Sequence, residues 1–137
     1  MAVARRFIVQ IEGVRAGRFD EVDNLTASTE VMEIRDGADR VIRQVPGRTR
    51  YGRVTLRRGN VTRALWRWWA EVKTGDVRRR SVAISLVDGN DKEIAGWRLS
   101  GCWPTDWRIS ASQGAEASGH GMAREEITFV VGDIELA

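Results

Sequence analysis

Apolar and polar residues alternate from the start of the chain. Phe7, Val9 and Ile11 stand at every second position, with Ile8, Gln10 and Glu12 between them, which is the period of a strand with one buried face. Gly13 and Gly17 predict a turn. Phe19, Val22 and Leu25 predict a shorter extended piece, and from Ser28 to Asp36 the residues Glu30, Met32 and Ile34 interleave with Val31, Glu33 and Arg35. Asp36-Gly37-Ala38-Asp39 then predicts a hairpin turn, because an Asp-Gly pair supplies the positive φ a tight turn requires. Arg40 to Val45 is the returning strand, closed by Pro46-Gly47 because proline has no ladder N–H. Tyr51 to Arg58 alternates again, Val54 and Leu56 against Thr55 and Arg57.

The period changes after Gly59. Asn60 is a good N-cap, and Ala64, Leu65, Trp68, Trp69 and Val72 recur at spacings of three and four, with Arg63, Arg67, Glu71 and Lys73 on the polar side. This predicts one helix over about 60–74, packed through Leu65, Trp68, Trp69 and Val72 and stopped at Gly75. Arg79 to Val87, the turn Asp88-Gly89-Asn90-Asp91 and Lys92 to Leu99 read as a hairpin. A further extended piece runs through Trp103, Pro104, Trp107 and Ile109, with Pro104 marking an edge or a bend. Residues 110–121 are rich in Ser, Ala and Gly and predict a flexible loop. Glu125 to Leu136 reads as a last strand, apolar on both faces. Many strands, hairpin turns and one amphipathic helix imply a mainly β sandwich or barrel with the helix on one side.

A chain of 137 residues suits a single domain, here 1–137. Hydrophobic residues make up 42% and charged residues 30%, an ordinary balance for a folded domain. No apolar run approaches the roughly 20 residues of a membrane helix, no leader pattern precedes the first strand, and a single Cys102 forms no intrachain disulfide. Folding in the cytoplasm, without membrane insertion of the monomer, is the expectation. The net charge of +3 sets 22 basic residues against 19 acidic ones, so Arg57-Arg58 and Arg78-Arg79-Arg80 read as solvated strand ends or turns.

Little in the chain points to catalysis. One histidine, His120, lies in the Gly/Ser segment, and Cys102 between Gly101 and Trp103 reads as a small core residue, so neither a metal site nor a Cys-His pair is assembled. The carboxylates show no paired spacing, and Arg57-Arg58-Gly59-Asn60 lacks the glycines and lysine of a phosphate cradle. The chain therefore reads as a non-enzyme with no cofactor. Six tryptophans remain. They are a stacking platform for nucleic acid or a packing and interface resource. Trp68 and Trp69 follow the apolar stripe of the helix and belong to the core, whereas Trp66 points off it and is an interface candidate.

Taken in order, several pieces resemble the tail-tube family of contractile phage tails and phage-derived injection systems. They are Phe7-x-Val9-x-Ile11-x-Gly13, Phe19-x-Glu21-Val22-x-x-Leu25, Glu30-Val31-x-Glu33-Ile34-Arg35-Asp36-Gly37, Val45-Pro46-Gly47, Val54-Thr55-Leu56-Arg57-Arg58-Gly59, Leu65-Trp66-x-Trp68, and Trp97 with Trp103-Pro104. Each is weak alone, but together they are specific over residues 7 to about 107.

The resemblance implies two packed antiparallel β-sheets with a flanking helix, six copies per ring, and rings stacked as the inner tube of a contractile sheath. It implies as partners the sheath, baseplate and tube-terminator proteins, with cargo in the lumen. The segment Glu30 to Val45 is expected to line the lumen and pair laterally through Glu30, Val31, Glu33, Arg35, Arg40 and Arg43, with Met32 and Ile34 facing the core. An exposed hairpin edge is a liability alone and an asset once a neighbour pairs with it. Ring stacking is expected from loops at Phe19 to Leu25 and Pro46 to Tyr51, notably Phe19, Asp20, Glu21, Val22, Pro46, Gly47 and Tyr51. The alternatives are a single-ring tube initiator or baseplate adaptor of the same fold, and a basic β-barrel that binds single-stranded nucleic acid.

Overall fold

The computed structural model describes residues 6–35, 37–38, 40–112 and 122–137. Ten strands and one helix follow one another as β1 (Arg6–Ile11), β2 (Val14–Phe19), β3 (Glu21–Asp23), β4 (Ala27–Ile34), β5 (Arg43–Tyr51), β6 (Val54–Arg58), α1 (Arg63–Lys73), β7 (Arg80–Val87), β8 (Glu93–Ser112), β9 (Met122–Val130) and β10 (Asp133–Leu136). Among the described residues every pairing is antiparallel.

Two layers share one strand. The first half of β8 pairs with β7 and β10, and β7 leads on to β1 and β2. Its second half pairs with β9, which leads on to β6 and β3. The change of layer falls where Gly101 takes φ +67 and the register shifts between Pro104 and Asp106, the kind of irregularity that lets a strand turn a corner. The predicted mainly β sandwich with one flanking helix is the fold found.

The core lies between the layers and under the helix. Val9, Ile11, Phe19, Val82, Ile84, Leu99 and Cys102 meet Val54, Leu56, Ile127 and Phe129, with Leu65 and Trp68 of α1 closing one side. Trp68 packs on Phe129 at 5.5 Å between ring centroids. Burial pushes the Cys102 thiol up to about 12, which keeps it an inert core group at neutral pH.

The helix starts later than Asn60. Its N-cap is Thr62, and the Thr62 N–H donates to Glu125 Oε1 at 3.3 Å, so a carboxylate from β9 sits at the positive end of the helix. Its end matches the sequence: Gly75 takes φ +88, its N–H bonds the Val72 carbonyl, and the Asp76 N–H bonds the Glu71 carbonyl, a Schellman closure.

Other boundaries differ from expectation. Residues 14–19 form β2 where a turn was expected, because Ala16 and Phe19 alone of that stretch are buried and the exposed Gly17 and Arg18 hide the period. The predicted loop at Phe19 to Leu25 contains β3, which pairs with β6. The returning hairpin strand begins at Arg43 and continues through Pro46 to Tyr51, so Pro46-Gly47 does not close it. Pro46 is tolerated because the pair is two-stranded and its register shifts between Thr29 and Val31. Ile34 pairs with Arg43, so residues 35–42 connect the two strands; Asp36 and Asp39 of the expected turn lie outside the described residues. Lys92 to Leu99 and the Trp103 segment are one strand, while Glu125 to Leu136 is split into β9 and β10 at Gly132. Of the expected 110–121 loop, residues 110–112 belong to β8, and 113–121, with His120, lie outside the described residues.

Candidate assembly surfaces

Strands β4 and β5 form a two-stranded sheet separate from the body. All eight positions of β4 are exposed, so Met32 and Ile34 do not face the core as expected. Among the described residues no layer covers either face of the pair. Glu30, Val31, Glu33, Arg35, Arg40 and Arg43 are all exposed here, alongside Val41 and Ile42. The strands hold each other by register and by a Thr29–Thr49 hydroxyl contact of 3.2 Å. Gly47 lies under Glu30 and Met32, where an added Cβ would come within 3.0 Å of both side chains.

The root of the hairpin is fixed. The Tyr51 hydroxyl donates to Asp133 on β10 at 2.8 Å, the Gly52 N–H bonds the Thr26 carbonyl, and the Asn24 amide bonds the Arg53 carbonyl. Asn24 sits at φ 63, a conformation asparagine tolerates. The bond to Asp133 raises the Tyr51 pKa above its ordinary value.

The residues expected to stack rings are dispersed. Phe19 is buried beneath the Arg58 guanidinium, whose carbon lies 4.6 Å from the ring centroid, so it offers no surface. Asp20 accepts from the Gly59 N–H, Glu21 pairs with Arg57 and Arg124, and Val22 is half-buried. Pro46, Gly47 and Tyr51 belong to β5. The helix residues fall nearer to expectation, with Leu65 and Trp68 buried, Trp69 packed against the core and Val72 half-buried.

Neither arginine of the Arg57-Arg58 run is a solvated end. Arg58 and Glu125 form a buried ion pair at 3.1 Å, and Arg58 also donates to the Ala16 carbonyl and to Thr62 Oγ1 at 2.6 Å. The other carboxylate oxygen of Glu125 accepts from Trp107 Nε1 at 2.9 Å. Desolvating two charges is expensive, and here each finds several partners, the condition under which such a pair is tolerated. Arg57, on the outer face, pairs with Glu126, Glu21 and Asp23. The signal was present: Val54, Leu56 and Arg58 share one face of β6, and Glu125, Ile127 and Phe129 share one face of β9. Arg80 is likewise half-buried, bridging Glu71 at 2.7 Å and the Glu12 carbonyl at 2.8 Å, whereas Arg78 remains outside with Asp76.

An aromatic face completes the surface. Trp66 stands 40% exposed, edge-on to Trp107 at 4.8 Å and tilted on Trp69 at 5.1 Å. Trp69 Nε1 donates to the Thr105 carbonyl on the free side of β8. Trp66 and Trp107 line a shallow depression with Val61 and Ile109, beside Arg63. Among the described residues no group of three or more His, Cys, Asp or Glu could hold a metal ion. No helix there is long and apolar enough to cross a membrane.

The family model for the T4-like virus tail tube protein gp19 matches residues 3–135. The chain belongs to that tail-tube family. Among curated proteins none matches it. Solved structures carry the same fold. A chain of an extracellular contractile injection system, the PVC sheath-tube complex in its extended state, is 24% identical with a TM-score of 0.77, over 96% of this chain and 88% of that one. A chain of the PVC sheath/tube terminator in its extended state is 26% identical at 0.72, over 96% and 93%. A chain of the anti-feeding prophage baseplate, 6-fold symmetrised, is 15% identical at 0.73, over 100% and 94%. This tail-tube protein is thus a structural component of a contractile tail or injection particle.

Proposed function

We propose that this tail-tube protein is the repeating subunit of the inner tube, closing into rings of six that assemble in the cytoplasm and stack into a conduit. Sheath, baseplate and terminator proteins are its partners, cargo passes through the bore, and no catalytic step belongs to the chain. The ring of six follows the symmetry of the baseplate whose fold it shares. The observation that carries the proposal is the β4–β5 hairpin, an antiparallel pair with two free backbone edges, one on the outer side of each strand, and with Val31, Met32 and Ile34 uncovered. Such edges and apolar side chains favour association with a second chain that covers them. Ring closure through contacts of this type is heterologous, and permanent interfaces of this class bury on the order of 2,000 Å² or more.

Ile34→Pro breaks the last register pair of the hairpin. We expect folded monomer by circular dichroism and no tubes in negative-stain micrographs; normal tubes from this variant would refute the hairpin's role. The likeness to a sheath/tube terminator chain favours one second reading, a ring that ends or starts a tube. Purified alone, a main subunit grows long tubes, whereas an end ring stops at one ring.

A further inference from the structure

The two oxygens of the buried Glu125 carboxylate serve different parts of the molecule. Oε1 accepts from the Arg58 guanidinium at 3.1 and 3.2 Å and from the Thr62 N–H, where α1 starts. The Thr62 hydroxyl accepts from Arg58 and makes no cap bond of its own, so the ion pair, and not a side-chain cap, fixes the first turn of the helix. Oε2 accepts from Trp107 Nε1 at 2.9 Å. Trp107 lies opposite Ile127, which makes Glu125 its diagonal neighbour on the same face of the sheet. Trp66, four residues into the helix from Thr62, meets the Trp107 ring edge-on at 4.8 Å. One carboxylate therefore holds both sides of the Trp66–Trp107 contact.

Two neighbours show what this bond adds. Trp68 is 1% exposed and packed on Phe129, and its Nε1 has no hydrogen-bond partner among the described residues, so an enclosed ring keeps its place by packing. Trp107 is half-buried at the rim, and there an acceptor is built in. Across the same two strands Arg57 and Glu126 pair at 3.0 Å on the outer face, where solvent reaches both. Arg58 and Glu125 have no such hydration, and well-packed apolar residues commonly replace a sealed pair at no cost in stability. Stability alone does not account for a charge at this position.

We propose that Glu125 is a positioning residue for the exposed aromatic surface. Its buried carboxylate gives Trp66 and Trp107 a single arrangement, and this, rather than the stability of the fold, is what its charge supplies. The assignment holds whether or not the chain builds tubes.

The test compares three full-length chains, all carrying Ile34→Pro so that association does not differ between them, which sedimentation checks. They are the parent, Arg58→Met with Glu125→Leu, and Arg58→Met with Glu125→Gln. The amide oxygen of glutamine can still accept from Trp107, and leucine cannot. Hydroxyl-radical oxidation is read residue by residue by mass spectrometry. We expect Trp66 and Trp107 to oxidise severalfold faster in the leucine chain and to stay near the parent rate in the glutamine chain, with Trp97 unchanged in both. The leucine chain should unfold in urea at a midpoint no lower than the glutamine chain. Equal rates in the parent and leucine chains would overturn the proposal, as would a glutamine chain oxidised as fast as the leucine chain. A leucine chain that unfolds at a lower midpoint, or without a cooperative transition, would show that the pair serves stability and overturn it as well.

Discussion

Strands β6 and β9 and strands β4 and β5 are both antiparallel pairs with facing threonines, yet they finish their interactions differently. In the body, Thr55 and Thr128 share a 2.8 Å contact, Arg57 meets Glu126 at 3.0 Å, and Arg58 with Glu125 is sealed inside. In the hairpin, Thr29 and Thr49 share a similar contact, but the aliphatic side chains beside them face water. Local pairing chemistry is alike; burial is not. The body completes its bonds within one chain, whereas among the described residues the outer edges and aliphatic side chains of the hairpin stay open to solvent.

The sharpest way to break this contrast is Arg58→Ala. It leaves Glu125 buried without its cation, and we expect a loss of about 3–5 kcal/mol in urea denaturation. The double variant Arg58→Met with Glu125→Leu should recover much of that loss, since both charges go together. A loss below about 1 kcal/mol for the single change would mean that the pair is not sealed.

A smaller effect lies at the junction of the two regions. The Tyr51 phenol is held neutral by its bond to Asp133, so its folded pKa lies above the ordinary 10.0. Its contribution is complete below that value and is lost as pH rises through the raised one. Tyr51→Phe should lower the thermal midpoint at pH 8, and the gap from the parent protein should close under alkaline conditions. A gap constant with pH would place the effect in packing alone.

The smallest effect is expected from removing the hairpin itself. Replacing residues 28–50 by a short Gly-Ser turn, between the paired Ala27 and Tyr51, should change the body's stability by no more than about 0.5 kcal/mol while abolishing assembly. Loss of the cooperative transition would show that the hairpin holds the body together.

The fold was legible where one period dominates. Val82, Ile84 and Val9, Ile11 alternate cleanly and became strands, and the helix stripe with Gly75 at its end became α1. Strand β2 was hidden because Val14-Arg15-Ala16-Gly17-Arg18-Phe19 buries only its small and terminal residues. The Arg58–Glu125 pair was half legible: alternation places each on a buried face, but nothing local says that residues so far apart in sequence meet. The exposure of Met32 and Ile34 ran against the rule that alternating apolar residues face a core, because β4 pairs with β5 alone and does not join the sheets that enclose the core. The β4–β5 segment was therefore legible as a hairpin, and the facing of its side chains was not.

Strand β8 carries a mechanical consequence. Its 20 residues pass without a break from one layer to the other, so the two sheets are joined by covalent backbone as well as by side-chain packing. A pull at one end of the molecule travels through peptide bonds across the corner at Gly101, and the layers cannot peel apart before this strand itself is unzipped from neighbours on both sides.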